Sequence, residues 1–430
     1  MGIQKLQSLT RNKKKQDFFV YGIGQAFNLI SPLLVVPHIV AICGEEGLGK
    51  QGMGFNLALF LILVVDYAFE IKSTKEVTMH RDDPAALQKI FNTTLMSKVL
   101  LFCITLCITL SLVYTIPFFS AERTLFLYSM AIVMAQVVNP AWFLLGMENF
   151  RVASFINIAS KTGYLVMVFT FIRLDSDYIL VNLLLGASAF IFNLSGLFFA
   201  KQRYGIHYVT PDLGEIRRIL RADFSFCLSQ LFLSARQLSP HVLISFFLGY
   251  NAAGQYKIIE QVITAFRTLI QVFLRFFFPS VCHKTAENPS AGFAFWKNYS
   301  AGNFALIAIA LIGIFLFSDD LLRFFNASPD TIAKLGDIFK IALLIPLLMA
   351  VSLPLEQLMF VTGRNKAYVR ITILVTVLNI TMILLAIHNY GIQGIIVTLI
   401  AAEILFILLY SKNAFSFLKS TETKNIIQKP

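Results

Sequence analysis

Residues 257–278 read KIIEQVITAFRTLIQVFLRFFF, a run long and apolar enough to cross a bilayer as one helix, yet it carries Arg267 and Arg275. A guanidinium is costly in hydrocarbon unless it faces water, a partner or an anion. Steps of three and four place Lys257, Glu260, Gln261, Thr264, Arg267, Thr268, Gln271 and Arg275 on one helical face, with Ile258, Ile263, Phe266, Phe273 and Phe277 elsewhere. One reading is a packed polar seam in which Glu260 neutralises Lys257 or Arg267. That seam needs an acid for each base, and this helix has only Glu260, so the stripe points to a water-filled cavity.

The rest of the chain sets the stripe in a membrane. Of 430 residues, 57% are hydrophobic, 42 are Phe and 14% are charged, against about a quarter charged in soluble domains. Apolar stretches of spanning length recur at approximately 17–43, 48–72, 89–117, 123–146, 152–173, 178–201, 221–248, 253–279, 297–317, 332–360, 366–388 and 392–411. The expectation is an all-α polytopic membrane protein of about 12 transmembrane helices, with short connections and no soluble catalytic or ATP-binding domain. The basic start, MGIQKLQSLTRNKKK, leads into a span too long for a signal-peptide core and is expected to be retained.

Basic residues orient the spans. With the N-terminus inside, cytoplasmic segments receive 24 Lys and Arg and outer segments 6, which places both termini in the cytoplasm. The net charge of +12 is then mostly topology and implies no nucleic-acid partner. Lys98, Lys161, Arg236, Arg267, Arg275 and Lys340 remain inside spans. Lys98 and Arg275 lie where they can snorkel to a cytoplasmic surface, whereas Lys161, Arg236 and Arg267 are harder to place anywhere but a cavity. Other helices offer polar faces to such a cavity: Asp17, Tyr21, Gln25 and Asn28 on the first, Asn56, Asp66 and Glu70 on the second, and Ser225, Ser229 and Arg236 on the seventh. Asp66 and Glu70 also suit an interfacial position near Lys72 and Lys75.

Motifs of soluble enzymes have plainer explanations. Residues 47–52 satisfy GxGxxG and residues 44–50 satisfy GxxxxGK, but Gln51 stands where a phosphate loop needs Ser or Thr and no strand precedes. A tight turn between helices accounts for the glycines. Five scattered cysteines suggest core packing, six histidines form no ligand cluster, and no cofactor or metal is implied. Pro32, Pro37, Pro240, Pro346 and Pro354 fall within spans and mark bends.

The chain also looks duplicated. Asp17-Phe18 followed by GEEGLGKQ (44–51) is answered by Asp223-Phe224 followed by GYNAAGQY (249–256). Two six-helix halves, 1–205 and 206–430, follow, related as parallel repeats with a transport site between them.

The outer turn GEEGLGKQG, PAWFLLGMENFRVASF (140–155), its later counterpart PLEQLMFVTGRNKAYVRI (354–371), in which Gly363 answers Gly146, and YGIQGIIV (390–397) together resemble the Wzx-type lipid-linked oligosaccharide flippases of O-antigen and capsule assembly. The resemblance covers nearly the whole chain. It implies two six-helix bundles in a bacterial cytoplasmic membrane, and alternating access that moves an undecaprenyl-diphosphate-linked repeat unit to the outer leaflet. A polysaccharide polymerase is the partner it suggests. Arg236, Arg267, Lys161 and Arg275 would line a cationic cavity for the diphosphate, to which guanidinium forks are suited. Asp66, Glu70 and Glu260 are candidate ion or proton carriers. A multidrug exporter of the same superfamily would favour acids in its cavity, and a peptidoglycan-precursor flippase typically has two more helices. A glycan polymerase or ligase would carry a large outer loop.

Overall fold

The computed structural model describes residues 2–427, and the side chains of residues 31–414 apart from Ser225 and Leu233. Asp17, Tyr21, Gln25, Asn28 and Ser225, which the sequence assigns to cavity faces, therefore lie outside the described side chains. Among the described residues all regular structure is helical: α1 (Gly2–Asp66), α2 (Phe69–Met79), α3 (Pro84–Thr115), α4 (Pro117–Ser120), α5 (Arg123–Val137), α6 (Ala141–Gly146), α7 (Phe150–Phe171), a 3₁₀ turn (Asp175–Asp177), α8 (Tyr178–Arg203), α9 (Leu213–Phe247), α10 (Gly249–Glu287), α11 (Pro289–Leu316), α12 (Ser318–Phe324), α13 (Pro329–Ala342), α14 (Leu344–Val361) and α15 (Asn365–Ile427).

Packing divides the chain into two units, Met1–Ser234 and Ala235–Pro430, with the seam inside α9. In the first unit α1 packs on α5, α7 and α8, α5 lies along α8, and α2 caps α6. In the second, α14 runs against α15, and α10, α11 and α14 pack on one another.

The polarity of the helices is that of a membrane protein. On α3 the buried face carries Thr93, Thr94, Ser97, Lys98, Thr105 and Thr109, while Val99, Ile104 and Ile108 are exposed. Water would favour the reverse; lipid favours this arrangement. Cys103 and Cys107 share that exposed face, so of the five cysteines only Cys43 and Cys227 are buried as the core-packing expectation requires.

Nine helical segments among the described residues are long and apolar enough to span. Two of them hold a pair of expected spans joined through a glycine in left-handed conformation, Gly44 (φ 70°) and Gly391 (φ 52°). The expected span 332–360 is one apolar segment, Pro329–Val361, whose helix is interrupted at Leu343. Pro346 sits in the first turn of α14, where its ring and missing N–H prevent a continuous helix from α13. Pro32, Pro37, Pro240 and Pro354 do lie inside helices.

Helix ends follow from local chemistry. Asp83, Asn149, Asn288 and Ser328 accept bonds from the first-turn N–H groups of α3, α7, α11 and α13. The 140–155 motif and its counterpart close their helices identically. Asn149 N–H bonds Leu144 O at 2.8 Å and Glu148 N–H bonds Leu145 O at 3.0 Å; Arg364 N–H bonds Met359 O at 2.9 Å and Gly363 N–H bonds Phe360 O at 3.1 Å. Each is a Schellman cap whose left-handed residue is Glu148 (φ 56°) in one and Gly363 (φ 70°) in the other. Gly363 thus answers Glu148, not Gly146. Gly146 has a different task, since a Cβ there would stand 2.6 Å from Val77 Cγ1 and 3.0 Å from the Thr74 carbonyl. Its own carbonyl accepts from Arg81 Nε at 2.6 Å, which docks α2 on α6 above a cluster of Phe91, Trp142 and Phe143.

The turn that mimics a phosphate loop is a clamp. Lys50 bridges Glu46 (3.0 Å) and Glu122 (2.8 Å), and Gln51 Nε2 donates to Asn182 Oδ1 at 2.7 Å. In the GYNAAGQY turn of the second unit, Gly249 has φ 85° and Gln255 Nε2 donates to Thr331 Oγ1 at 3.1 Å. In both units the turn is tied to the start of a later helix, α5 through Glu122 and α13 through Thr331.

Candidate functional site

The second unit contains a tight polar cavity of about 30 Å³ between α9, α10, α14 and α15, lined by Arg236, Arg267, Tyr256, Glu260, Asn379, Glu403 and Phe406 among others. It has room for a water or two. Arg236 donates to Glu403 Oε1 at 2.7 Å, and its guanidinium lies 4.2 Å from the centre of the Phe406 ring. Ser352 donates to the other oxygen, Glu403 Oε2, at 2.6 Å. Glu260 accepts from Lys257 at 2.7 Å and faces His241 at 4.0 Å. Among the described residues no hydrogen bond or ion pair holds Arg267, which shares the cavity with both carboxylates.

The stripe on α10 is divided between two spaces. Glu260 and Arg267 face the tight cavity, whereas Gln271 and Arg275 line a more open one of about 320 Å³ with Glu356, Gln357 and Phe360. There Gln357 Nε2 donates to Leu274 O at 2.7 Å and Tyr368 OH to Glu356 Oε1 at 3.2 Å. Beside the stripe α10 exposes Leu269, Val272 and Phe276, while Ile258, Ile263 and Phe266, which the sequence places off the stripe, are buried in the protein. The Lys257–Glu260 pair is the neutralisation that a packed seam requires. Two further acids line these spaces from α14 and α15, Glu356 and Glu403. Glu403 stands alone in the apolar run 395–409 and Glu356 follows Pro354; a lone acid inside a span was the available signal.

In the first unit a cavity of about 330 Å³ is lined by Lys161 and Glu70 together with Gln136, Asn139, Asn157 and Asn193. Lys161 has no hydrogen-bond or ion-pair partner among the described residues, and apolar side chains such as Leu59, Ile132 and Leu185 complete the lining. Asp66 is not part of that lining. It accepts from Lys98 at 2.7 Å and from Gln136 Nε2 at 2.6 Å. Lys98 is 1% exposed, so the expected snorkelling does not occur; its ammonium stays inside because a carboxylate waits there. Lys72 is paired with Asp223, so it leaves Asp66 to Lys98. Among the described residues no group of three or more His, Cys, Asp or Glu side chains is arranged to hold a metal ion.

Comparison with known proteins agrees with this architecture. The chain is 21% identical over 299 residues to a candidate O-antigen transporter of Escherichia coli K12, covering 70% of this chain and 71% of that one. It is 20% identical over 399 residues to a candidate O-antigen transporter of Shigella dysenteriae, covering 92% and 97%. Among solved structures it is similar in fold to the inward-closed lipid II flippase MurJ (TM-score 0.68, 14% identity, 96% of this chain and 93% of that one). An inward-facing multidrug resistance transporter of the MATE family is similar as well (TM-score 0.67, 13% identity, 92% and 96%). The fold is that of a multi-pass helical membrane transporter. Residues 15–282 match the family model for polysaccharide biosynthesis proteins, and with more than half of its length so matched the chain belongs to that family.

Proposed function

We propose that this protein is a flippase that moves undecaprenyl-diphosphate-linked oligosaccharide repeat units from the inner to the outer leaflet of the bacterial cytoplasmic membrane. It works by alternating access of two six-helix halves, expected from the sequence at 1–205 and 206–430, with both termini cytoplasmic. It is a transporter and performs no bond chemistry on its cargo. The lipid-linked repeat unit is its substrate, membrane lipids surround it, and a polysaccharide polymerase is the partner that would consume its product.

The observation that carries this reading is the pairing of charges in the second unit. Arg236 and Arg267 line one cavity, and the carboxylates beside them, Glu403 and Glu260, are already engaged by Arg236 and Lys257. A cation exporter would need free acids at this place. Here the free group is a guanidinium, which suits the oxygens of a diphosphate. Lys161 and Arg275 extend basic character into the two larger cavities.

The test is translocation of lipid-linked oligosaccharide in reconstituted vesicles. Arg267→Ala is expected to abolish flipping without loss of inserted protein, and Arg267→Lys to retain a fraction of it, because the charge persists and the fork does not. Normal rates in both variants would overturn the cavity assignment. Mass spectrometry of lipid-linked intermediates in a deletion strain names the sugar; no accumulated intermediate, with raised sensitivity to cationic dyes, would favour drug export.

A further inference from the structure

Glu403 occupies the position an anionic ligand would take on Arg236. The aromatic ring of Phe406 covers the guanidinium plane at 4.2 Å, so binding is left to the edge, and Glu403 Oε1 holds the edge at 2.7 Å. Ser352 fixes the second oxygen at 2.6 Å. The carboxylate is 3% exposed, and the cavity of about 30 Å³ admits no diphosphate as it stands. Glu260 and Glu356 do not compete for this role, since Lys257 holds the first and Tyr368 donates to the second.

We infer that Glu403 is a built-in, exchangeable counter-ion: an arriving diphosphate displaces it from Arg236 and it takes up a proton as it leaves. This rests on the flippase reading and adds to it the group that links head-group binding to a proton. The physical reason is that a carboxylate released from its guanidinium inside a nearly dry cavity is too costly to leave charged. Groups around it that carry or gain charge are Arg236 and His241 on α9, Tyr256, Lys257, Glu260 and Arg267 on α10, Glu356 on α14, and Tyr368 and Tyr410 on α15. The two bases nearest to it, Arg236 and Arg267, are those the diphosphate would bind, so their support of the Glu403 carboxylate falls when the anion arrives. Release of the anion on the far side restores the Arg236–Glu403 pair and expels the proton. Glu403 is thus a positioning residue that also resets the site.

Titration calorimetry of the purified full chain with inorganic pyrophosphate tests this, run in buffers of different ionisation enthalpy so that proton uptake is counted. Wild type is expected to take up about one proton more per pyrophosphate than Glu403→Gln. At about pH 8, where a free carboxylate is ionised, Glu403→Gln should bind roughly tenfold tighter, as expected when a competing buried charge is removed. Ser352→Ala, which loosens the carboxylate without removing it, should shift affinity in the same direction by less and keep the proton uptake. Equal proton uptake and equal affinity in wild type and Glu403→Gln would overturn the exchange while leaving the flippase reading standing. No pyrophosphate binding by a wild-type chain that still flips lipid-linked sugar would overturn the exchange alone, and absence of both would overturn the two together.

Discussion

Lys98 Nζ lies 2.7 Å from Asp66 Oδ1, and the two side chains are 2% and 16% exposed. Gln136 holds the second oxygen of Asp66 at 2.6 Å, so α1, α3 and α5 meet at one carboxylate. Removing one partner of such a pair leaves an uncompensated charge, which costs about 3–5 kcal/mol, whereas replacing both by apolar side chains of similar volume is often neutral. Asp66→Ala is expected to lower the thermal unfolding temperature in detergent and the inserted yield, and Asp66→Leu combined with Lys98→Met to recover most of both. Loss of transport in Asp66→Asn at unchanged unfolding temperature would instead make Asp66 an ion carrier.

Lys161 shows the opposite balance. It faces a cavity of about 330 Å³ lined by carboxamides and Glu70 and has no ion-pair partner among the described residues. A half-buried ammonium without a counter-ion is a cost borne for function. Lys161→Met should therefore stabilise the folded chain, by about 1–3 kcal/mol, and lower the rate of flipping. A variant that is less stable, or one that flips normally, would remove Lys161 from the substrate path.

The difference between these two lysines was not legible in the sequence. Spans, polar faces and the recurrence of the 44–51 turn follow from periodicity and glycine placement, properties of neighbours along the chain. Partner choice does not. Lys98 reads as a residue near a helix end, yet its fate is set by Asp66, 32 residues away, and Arg236 reads as a free cation until Glu403 arrives from 167 residues away. The stripe on α10 is legible because Glu260 and its bases lie on one helix. Glu356 and Glu403 are not, because each is the one acid of an apolar run.

Gly146 and Gly363 look like counterparts and should respond differently to the same substitution. A Cβ at Gly146 meets Val77 at 2.6 Å and backbone at 3.0 Å, so Gly146→Ala must push α2 off α6, with loss of the Arg81 and Thr78 bonds to the Gly146 carbonyl. Overpacking of this kind costs about 1–3 kcal/mol. At Gly363 nothing lies within 4 Å; only the φ of 70° resists a side chain, at about 1–2 kcal/mol, and Asn should be tolerated better than Ala. Urea or thermal unfolding of Gly146→Ala, Gly363→Ala and Gly363→Asn checks the order. Equal effects of Ala and Asn at 363 would contradict the conformational account.

The Gln51–Asn182 contact explains why a phosphate-loop look-alike carries Gln at its decisive position. Asn182 is fully buried. It accepts from Gln51 Nε2 at 2.7 Å and donates to Gln51 O at 3.0 Å and Ser129 Oγ at 2.9 Å, which joins α1, α5 and α8 at one carboxamide. Ser or Thr at 51 would be too short to reach it. Asn182→Ala removes all three of these bonds; Ser129 keeps its bond to Leu125 O, but the Gln51 carboxamide is left unsatisfied, at about 1–3 kcal/mol, so the variant is expected to insert poorly and to unfold at a lower temperature. Gln51→Leu alone removes only the side-chain bond to Asn182 and should cost less. The double variant Gln51→Leu, Asn182→Leu should be more stable than Asn182→Ala, since partners replaced together by apolar groups of similar shape lose little. Nucleotide binding should be absent in wild type and every variant; ATP binding that disappears with Gln51→Leu would overturn the clamp and restore the nucleotide reading.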